Sequence, residues 1–219
     1  MPELERRRVY NLKAWVMSVA WYLPNVVGYI RIILTLIASV MIFICPPIGM
    51  ILGFLSQILD AADGTLARHL NQCTALGSIL DYTTDRMFVA CWMIVLTVFY
   101  PKLWLIFMLI LSLDLMSHLF HMYASMQQGK NSHKEQDQYQ SRLLQFYYAH
   151  SWFMFLVCLF HDLWISALIL NYFYSSFYTK IAVFFFTPFM LFKGYLHLMQ
   201  LFSSSKSLIH LPQADFSKQ

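Results

Sequence analysis

Residues 60–85 read DAADGTLARHLNQCTALGSILDYTTD, and this stretch decides how the chain is organised. It places four aspartates, Asp60, Asp63, Asp81 and Asp85, between long apolar runs on either side. At about 100° per residue, Asp60 and Asp63 share one stripe of a helix, and Asp81 and Asp85 share one stripe of the next. The spacing therefore predicts a helical hairpin whose two helices direct four carboxylates toward each other.

The composition of the chain around this hairpin is that of a membrane protein. Hydrophobic residues make up 59% of the 219 residues and charged residues only 12%, against roughly 25% charged in an ordinary soluble domain. A soluble protein of this composition could not cover its surface with polar groups, and a disordered chain would not be so apolar. The net charge of +4 is too dispersed to indicate a nucleic-acid partner.

Six stretches are long and apolar enough to cross a bilayer, which needs about 20 residues. They are residues 25–46, 48–68, 75–100, 103–126, 146–171 and 181–203. The predicted fold class is therefore an all-α integral membrane protein with six transmembrane helices in a domain spanning 25–203. Apolar residues on one stripe, interrupted by arginines, predict an N-terminal interfacial amphipathic helix over 1–24, ended at Pro24, and residues 204–219 are expected to form a tail. A signal peptide is the alternative for the N-terminal segment, but small residues do not follow its apolar run.

The basic residues outside the spans predict an orientation. With a cytosolic N-terminus, ten of them lie on the cytosolic side and only Lys102 and Lys180 on the other, which agrees with the positive-inside rule. Both termini and the aspartate hairpin are then expected on the cytosolic side. Four cysteines occur singly, without a CxxC pair, which argues against a zinc site and a disulfide framework.

Charged groups inside predicted spans indicate a functional cavity, because each costs at least about 2.5–3.5 kcal/mol near the bilayer centre. Four facing carboxylates would repel one another, whereas hard divalent cations such as Mg²⁺ or Mn²⁺ would neutralise them through oxygen ligands. Gly64 and Gly77 remove side chains where a bulky ligand must approach. A purely structural alternative is an ion-pair network of Asp60 and Asp63 with Arg68 and Arg86.

The spacing of the stretch resembles the CDP-alcohol phosphatidyltransferase signature, DxxDGxxARx8GxxxDxxxD, with every fixed position filled from Asp60 to Asp85. The resemblance extends through residues 24–31 (PNVVGYIR) and 112–121 (SLDLMSHLFH), in the manner of the eukaryotic members that use myo-inositol. It implies a six-helix homodimer of the endoplasmic reticulum whose cytosol-facing cavity holds two divalent ions, Mg²⁺ or Mn²⁺. The implied reaction converts CDP-diacylglycerol and myo-inositol to phosphatidylinositol and CMP.

The resemblance also implies roles for individual residues. Asp60, Asp63 and Asp81 resemble metal ligands, and Asp85 resembles the general base, with a further contact to metal. The positions that would hold the cytidine diphosphate are Asn25, Gly64, Ala67, Arg68 and Gly77.

The fourth span supplies candidate acceptor contacts. Asp114, Ser117, His118 and His121 fall on one helical stripe, and their donors and acceptors suit a polyol. An interhelical hydrogen-bond network would use the same residue types, so both interpretations stay open at this stage. Arg86 and Lys193 are weaker candidates for contacts to an anion.

Four other functions compete with this hypothesis. A sister phosphatidyltransferase would share the signature and use glycerol 3-phosphate or serine as acceptor. An intramembrane prenyltransferase also uses two aspartate clusters and Mg²⁺, but its clusters lie far apart in a longer chain. An ion transporter would often show inverted repeats, and a catalytically silent, metal-stabilised scaffold would be expected to have lost one of the four aspartates.

Overall fold

The computed structural model describes residues 18–127 and 141–210, which form α-helices and turns without a strand. The main elements, in chain order, are α1 Leu23–Ile44, α2 Pro46–His69, α3 Ala75–Phe99, a 3-10 turn Pro101–Leu103, α4 Trp104–Gln127, α5 Arg142–Ala149, α6 Ser151–Tyr174 and α7 Phe177–Ile209. The prediction of an all-α chain is confirmed for the described residues. Residues 1–17 of the predicted interfacial helix and residues 211–219 of the predicted tail lie outside them.

Local sequence accounts for the helix boundaries. Pro46 and Pro47 open α2, where a missing backbone N–H costs nothing and the fixed φ suits the first turn. Asn71 has a φ of 53°, a left-handed conformation that asparagine tolerates, and reverses the chain between α2 and α3. The Ser176 hydroxyl accepts a hydrogen bond from the Thr179 backbone N–H at 3.2 Å and caps α7.

Three boundaries differ from the predicted ones. Pro24 lies in the first turn of α1, so this proline opens a helix rather than ending the preceding one. The fifth predicted span is interrupted at His150, which adopts an extended conformation between α5 and α6, so that the long helix begins only at Ser151. The last helix continues to Ile209 instead of ending near 203, because serine side chains in its final turns are buried in the protein.

Within residues 18–127 and 141–210, five helical segments are long and apolar enough to span a membrane: Leu23–Ile44, Ala75–Phe99, Pro101–Gln127, Ser151–Tyr174 and Phe177–Ile209. The remaining long helix, α2, has 24 residues but carries Asp60, Asp63 and Arg68 in its C-terminal half. These charges keep it below the hydropathy of a typical span. The chain is therefore a multi-pass membrane protein, and the count of six spans stays a prediction.

Burial in the second half of the chain is inverted relative to a soluble protein. Along α7, His197 and Ser204 are buried, whereas Leu191 and Phe202 are 62% and 68% exposed. A helix with polar groups inside and large apolar groups outside is stable only where lipid replaces water. The pattern supports the membrane assignment independently of composition.

The chain divides into two compact units, Met1–Val95 and Leu96–Gln219. In the first unit α1 and α2 pack closely along Gly49, where a Cβ atom would lie 2.6 Å from the backbone nitrogen of Ile42. In the second unit α7 packs against α4 and α6. Trp164 of α6 donates a hydrogen bond to the Thr187 hydroxyl of α7 at 3.1 Å.

Candidate active site

The four signature carboxylates of the first unit converge on the guanidinium group of Arg31. Its Nη2 lies 2.5 Å from Asp60 Oδ1 and 2.8 Å from Asp85 Oδ1. Its Nη1 lies 2.9 Å from Asp63 Oδ2 and 3.3 Å from Asp81 Oδ1. The prediction that two neighbouring helices bring these aspartates together is confirmed, and a third helix, α1, supplies the cation between them.

Polar contacts hold α1 in place beside the carboxylates. The Ser56 hydroxyl of α2 donates a hydrogen bond to the Arg31 backbone carbonyl at 3.3 Å and lies 3.1 Å from the Thr35 hydroxyl. Both hydroxyls are fully buried. The backbone that carries Arg31 is therefore fixed against the helix that carries Asp60 and Asp63.

Arg31 is a charge inside a predicted span to which the sequence analysis assigned no site role. The ion-pair alternative paired the aspartates with Arg68 and Arg86. The basic side chain that lies between all four aspartates is instead that of Arg31. An available signal was a lone arginine within an otherwise uncharged span, because such a residue requires an anionic partner in the protein interior.

The carboxylates fit divalent cations with oxygen ligands. One oxygen each from Asp60, Asp63 and Asp81 lies within 4.8 Å of the others. The side chains of Asp60, Asp81 and Asp85 are 37%, 44% and 36% exposed, so ligands can reach them. The Arg31 guanidinium carries one positive charge against four carboxylates, and carboxylate oxygens are the ligands that Mg²⁺ and Mn²⁺ prefer. The donor set therefore suits hard ions, which agrees with the prediction without distinguishing between the two metals.

The residues predicted to hold the cytidine diphosphate lie on the same helices. A Cβ atom on Gly77 would lie 2.9 Å from Asn25 Oδ1, so the two predicted residues are neighbours. Asn25 is buried and donates a hydrogen bond to the Val19 carbonyl at 2.8 Å. Gly64 and Ala67 are partly exposed on α2 and Arg68 is exposed near its end.

A second polar cluster is built within the other unit. Asp114 of α4 is 1% exposed, and its Oδ1 lies 3.6 Å from His118 Nδ1 and 3.5 Å from Nε2 of His197 on α7. The two imidazole rings are 5.0 Å apart and nearly perpendicular. The structure thus brings the predicted Asp114 and His118 together and adds His197, which the sequence analysis did not select.

The remaining acceptor candidates occupy different surroundings. His121 stacks on Tyr148 of α5 at 5.1 Å, and its Nδ1 lies 3.4 Å from the Ser204 hydroxyl. Lys193 is buried on α7, one turn before His197, and Arg86 is half-buried on α3. The four-residue spacing from Lys193 to His197 was the signal that could have identified His197.

The site lies in a region of the chain that resembles a known protein family. The family model described as CDP-alcohol phosphatidyltransferase matches residues 21–170, well over half of the chain. The chain belongs to the CDP-alcohol phosphatidyltransferase family. The matched region contains all four converging aspartates and Arg31, so the site lies within the part of the chain that defines the family.

Curated relatives of this phosphatidyltransferase come from fungi, plants and animals. A Candida albicans protein is 36% identical over 94% of this chain and 90% of its own length. A Saccharomyces cerevisiae protein is 41% identical over 75% of this chain and 74% of its own length, and a Rattus norvegicus protein is 32% identical over 90% and 96%. All three are named CDP-diacylglycerol--inositol 3-phosphatidyltransferase. No solved structure matches the chain.

Proposed function

We propose that the chain transfers a phosphatidyl group from CDP-diacylglycerol to myo-inositol, giving phosphatidylinositol and CMP. The observation that carries the proposal is the convergence of the four signature carboxylates on one point in the first unit. The names of relatives that cover most of this chain support inositol as the acceptor.

In the proposed site, Asp60, Asp63 and Asp81 would hold two divalent ions. Such ions would offset the charge of the diphosphate and of the departing CMP. Asp60 Oδ1 contacts Arg31 Nη2 at 2.5 Å, and the Asp60 side chain is 37% exposed, which leaves part of this carboxylate accessible to a ligand.

Asp85 is the proposed general base. A hydroxyl oxygen of inositol attacks the β-phosphorus, the bond from that phosphorus to the CMP oxygen breaks, and the hydroxyl proton passes to the Asp85 carboxylate. Because the attack is direct, no covalent enzyme intermediate forms. The Asp85 side chain is 36% exposed, which leaves it accessible to an incoming alcohol.

The donor nucleotide is proposed to lie along the C-terminal half of α2. Gly64 and Ala67 leave room for it to approach the helix, and Arg68 offers a guanidinium to a phosphate oxygen. Asn25 and Gly77 form the neighbouring wall, where a side chain at position 77 would collide with Asn25.

Acceptor recognition is assigned to the polar cluster of the second unit. Asp114 accepts hydrogen bonds, and His118 and His197 can donate or accept, so the cluster can bind several hydroxyls of a polyol. Lys193 and His121 of the same unit are proposed to contribute further polar contacts to the acceptor, and Arg86 of the first unit is proposed as a separate contact to an anion. The buried state of Asp114 supports this assignment, because an ionisable group in a membrane helix is retained only where it has partners or a function.

The cellular arrangement is also proposed. We infer six spans, a homodimer, and residence in the endoplasmic reticulum with both termini and the carboxylates on the cytosolic side. Cysteine-substituted Lys102 and Lys206, introduced into a chain whose four native cysteines are replaced by serine, test the orientation. A membrane-impermeant thiol reagent added from the cytosolic side should modify position 206 and leave position 102 unmodified, and the reverse pattern would overturn the orientation.

The test of function is transfer from CDP-diacylglycerol by the purified full-length protein. Labelled myo-inositol is supplied beside labelled glycerol 3-phosphate and serine, with and without EDTA, and Asp85→Asn serves as the matched negative control. Labelling of lipid by inositol alone, abolished by EDTA, is the expected result. Labelling by another acceptor would retain the mechanism and replace the substrate, and inactivity of folded protein with all three would favour a scaffold.

A further inference from the structure

Arg31 has a position that substrate binding does not explain. It is 0% exposed, yet its guanidinium lies within 3.3 Å of an oxygen from each of the four carboxylates. Arginine is permanently charged, and its planar fork of donors suits simultaneous contact with several carboxylates. A fully buried cation at the centre of a set of metal ligands must affect how that set binds metal.

The contacts have two opposing consequences. Without a cation, four carboxylates this close would repel one another, so Arg31 stabilises the assembled site. The same contacts engage Asp60, Asp63 and Asp81, which form one of the two groups among the described residues that could hold an ion; the other is Asp114, His118 and His197. Arg31 and a divalent ion therefore compete for the same carboxylates.

The backbone of Arg31 is held by contacts that do not involve its guanidinium. Ser56 binds the Arg31 carbonyl, and Thr35 lies against Ser56 one turn further along α1. The guanidinium is at the end of a long flexible side chain, and its Nε has no hydrogen-bond partner among the described residues. The contacts that fix the α1 backbone are therefore separate from the contacts of the guanidinium.

We propose that Arg31 is a built-in counter-cation of the carboxylate cluster, which keeps the four aspartates assembled in the metal-free protein and competes with divalent ions for them. Ion binding displaces part of its contacts, so Arg31 sets the affinity of the site for metal and prevents loss of metal from unfolding it. The inference rests on the proposed function, because it requires that the cluster binds metal.

The test measures Mn²⁺ binding and thermal unfolding rather than transfer. Purified wild-type protein, Arg31→Gln and Arg31→Lys are titrated with Mn²⁺, and bound ion is measured from the loss of the free-ion electron paramagnetic resonance signal. Unfolding is followed in EDTA and in saturating Mn²⁺. Lys180→Gln, at an exposed position of the second unit, removes a positive charge elsewhere and is the matched control.

Removal of the competing charge should strengthen metal binding. We expect Arg31→Gln to lower the Mn²⁺ midpoint by about fivefold or more, the usual size of coupling between two competing ligands. The same variant should unfold at a lower temperature than wild type in EDTA, and saturating Mn²⁺ should close most of that gap. Arg31→Lys should show smaller changes, because it keeps the charge and loses the fork, and Lys180→Gln should match wild type.

Two results would overturn the role of Arg31. One is an unchanged or weaker Mn²⁺ affinity in folded Arg31→Gln, and the other is an equal loss of thermal stability with and without the ion, as expected for a packing residue. If Arg31→Gln cannot be purified in a folded state, Arg31→Lys tests the proposal, since its midpoint for Mn²⁺ binding should still fall below that of wild type. Wild-type protein that binds no Mn²⁺ would contradict the metal site of the proposed function itself.

Discussion

Gly64→Ala should make the protein more stable and a poorer enzyme. Gly64 lies in helical backbone of α2, and a Cβ atom there would meet only the Arg68 guanidinium, at 3.7 Å. That distance is an ordinary van der Waals contact, so nothing among the described residues requires a glycine. If the donor nucleotide approaches α2 at this point, the added methyl group would obstruct it.

Both effects have an expected size. Alanine in place of glycine inside a helix contributes about 0.5–1 kcal/mol to the free energy of unfolding, or a rise in Tm of about 1–4 °C for a chain of this length. A methyl group forced into a filled site costs about 1–3 kcal/mol. At 1.4 kcal/mol per factor of ten, that cost raises the KM for CDP-diacylglycerol roughly 5- to 150-fold.

Gly194→Ala is the matched control. Gly194 lies inside α7, and a Cβ atom there would meet nothing within 4 Å among the described residues. It should give the same rise in Tm with no change in the KM for CDP-diacylglycerol. Steady-state transfer of labelled inositol at varied donor concentration, beside thermal unfolding in detergent, measures both quantities. A Gly64→Ala enzyme with the KM of wild type would refute the placement of the nucleotide on α2.

Four further predictions concern residues of the two clusters and the contact between α1 and α2. Asp85→Asn should reduce kcat by about 10²–10⁴ in protein that still folds and inserts, since it removes the proton acceptor; near-normal turnover would exclude Asp85 as the base. Asp63→Ala should abolish the Mn²⁺-dependent component of CDP-diacylglycerol binding measured by equilibrium binding, and unchanged metal dependence would contradict its role as ligand. His197→Ala should raise the KM for inositol about 5- to 150-fold through loss of a buried polar contact worth about 1–3 kcal/mol, with the KM for CDP-diacylglycerol unaffected; equal changes in both would indicate a structural role. Gly49→Ala should lower Tm without changing the metal midpoint, because its Cβ would lie 2.6 Å from the Ile42 backbone nitrogen, and a Tm equal to that of wild type would show that the two helices can separate.

Local periodicity predicts the features of the fold that depend on residues close together in the chain. The spacing from Asp60 to Asp85 was enough to predict a hairpin with four facing carboxylates, because residues three or four apart share a helix face. Composition was enough to predict a helical membrane protein. Composition could not locate the break between α5 and α6 at His150, since the neighbouring residues are mostly apolar or aromatic and include neither proline nor glycine.

Long-range pairing was the part that periodicity could not supply. Arg31 precedes Asp60 by 29 positions and Asp85 by 54, and nothing in its own helix specifies which anion it meets. The resemblance included its segment, PNVVGYIR, without assigning the arginine a role. Only the packing of α1 against α2, fixed by close contact at Gly49 and by the Ser56 hydroxyl, places the guanidinium among the carboxylates.

The second cluster also depends on long-range pairing that periodicity does not reveal, and this pairing bears on the proposed acceptor site. Asp114 and His118 are one turn apart and could be selected from one stripe, but His197 lies 83 positions after Asp114 on another helix. A polar stripe on a single membrane helix is compatible with either a helix contact or a ligand. Two imidazoles from different helices beside one buried carboxylate present donors and acceptors in several directions, as a polyol requires. If this cluster binds the acceptor as proposed, acceptor choice depends on how α4 and α7 pair, whereas the proposed donor site uses a contiguous signature. On that proposal, the signature alone indicates the reaction more readily than the alcohol.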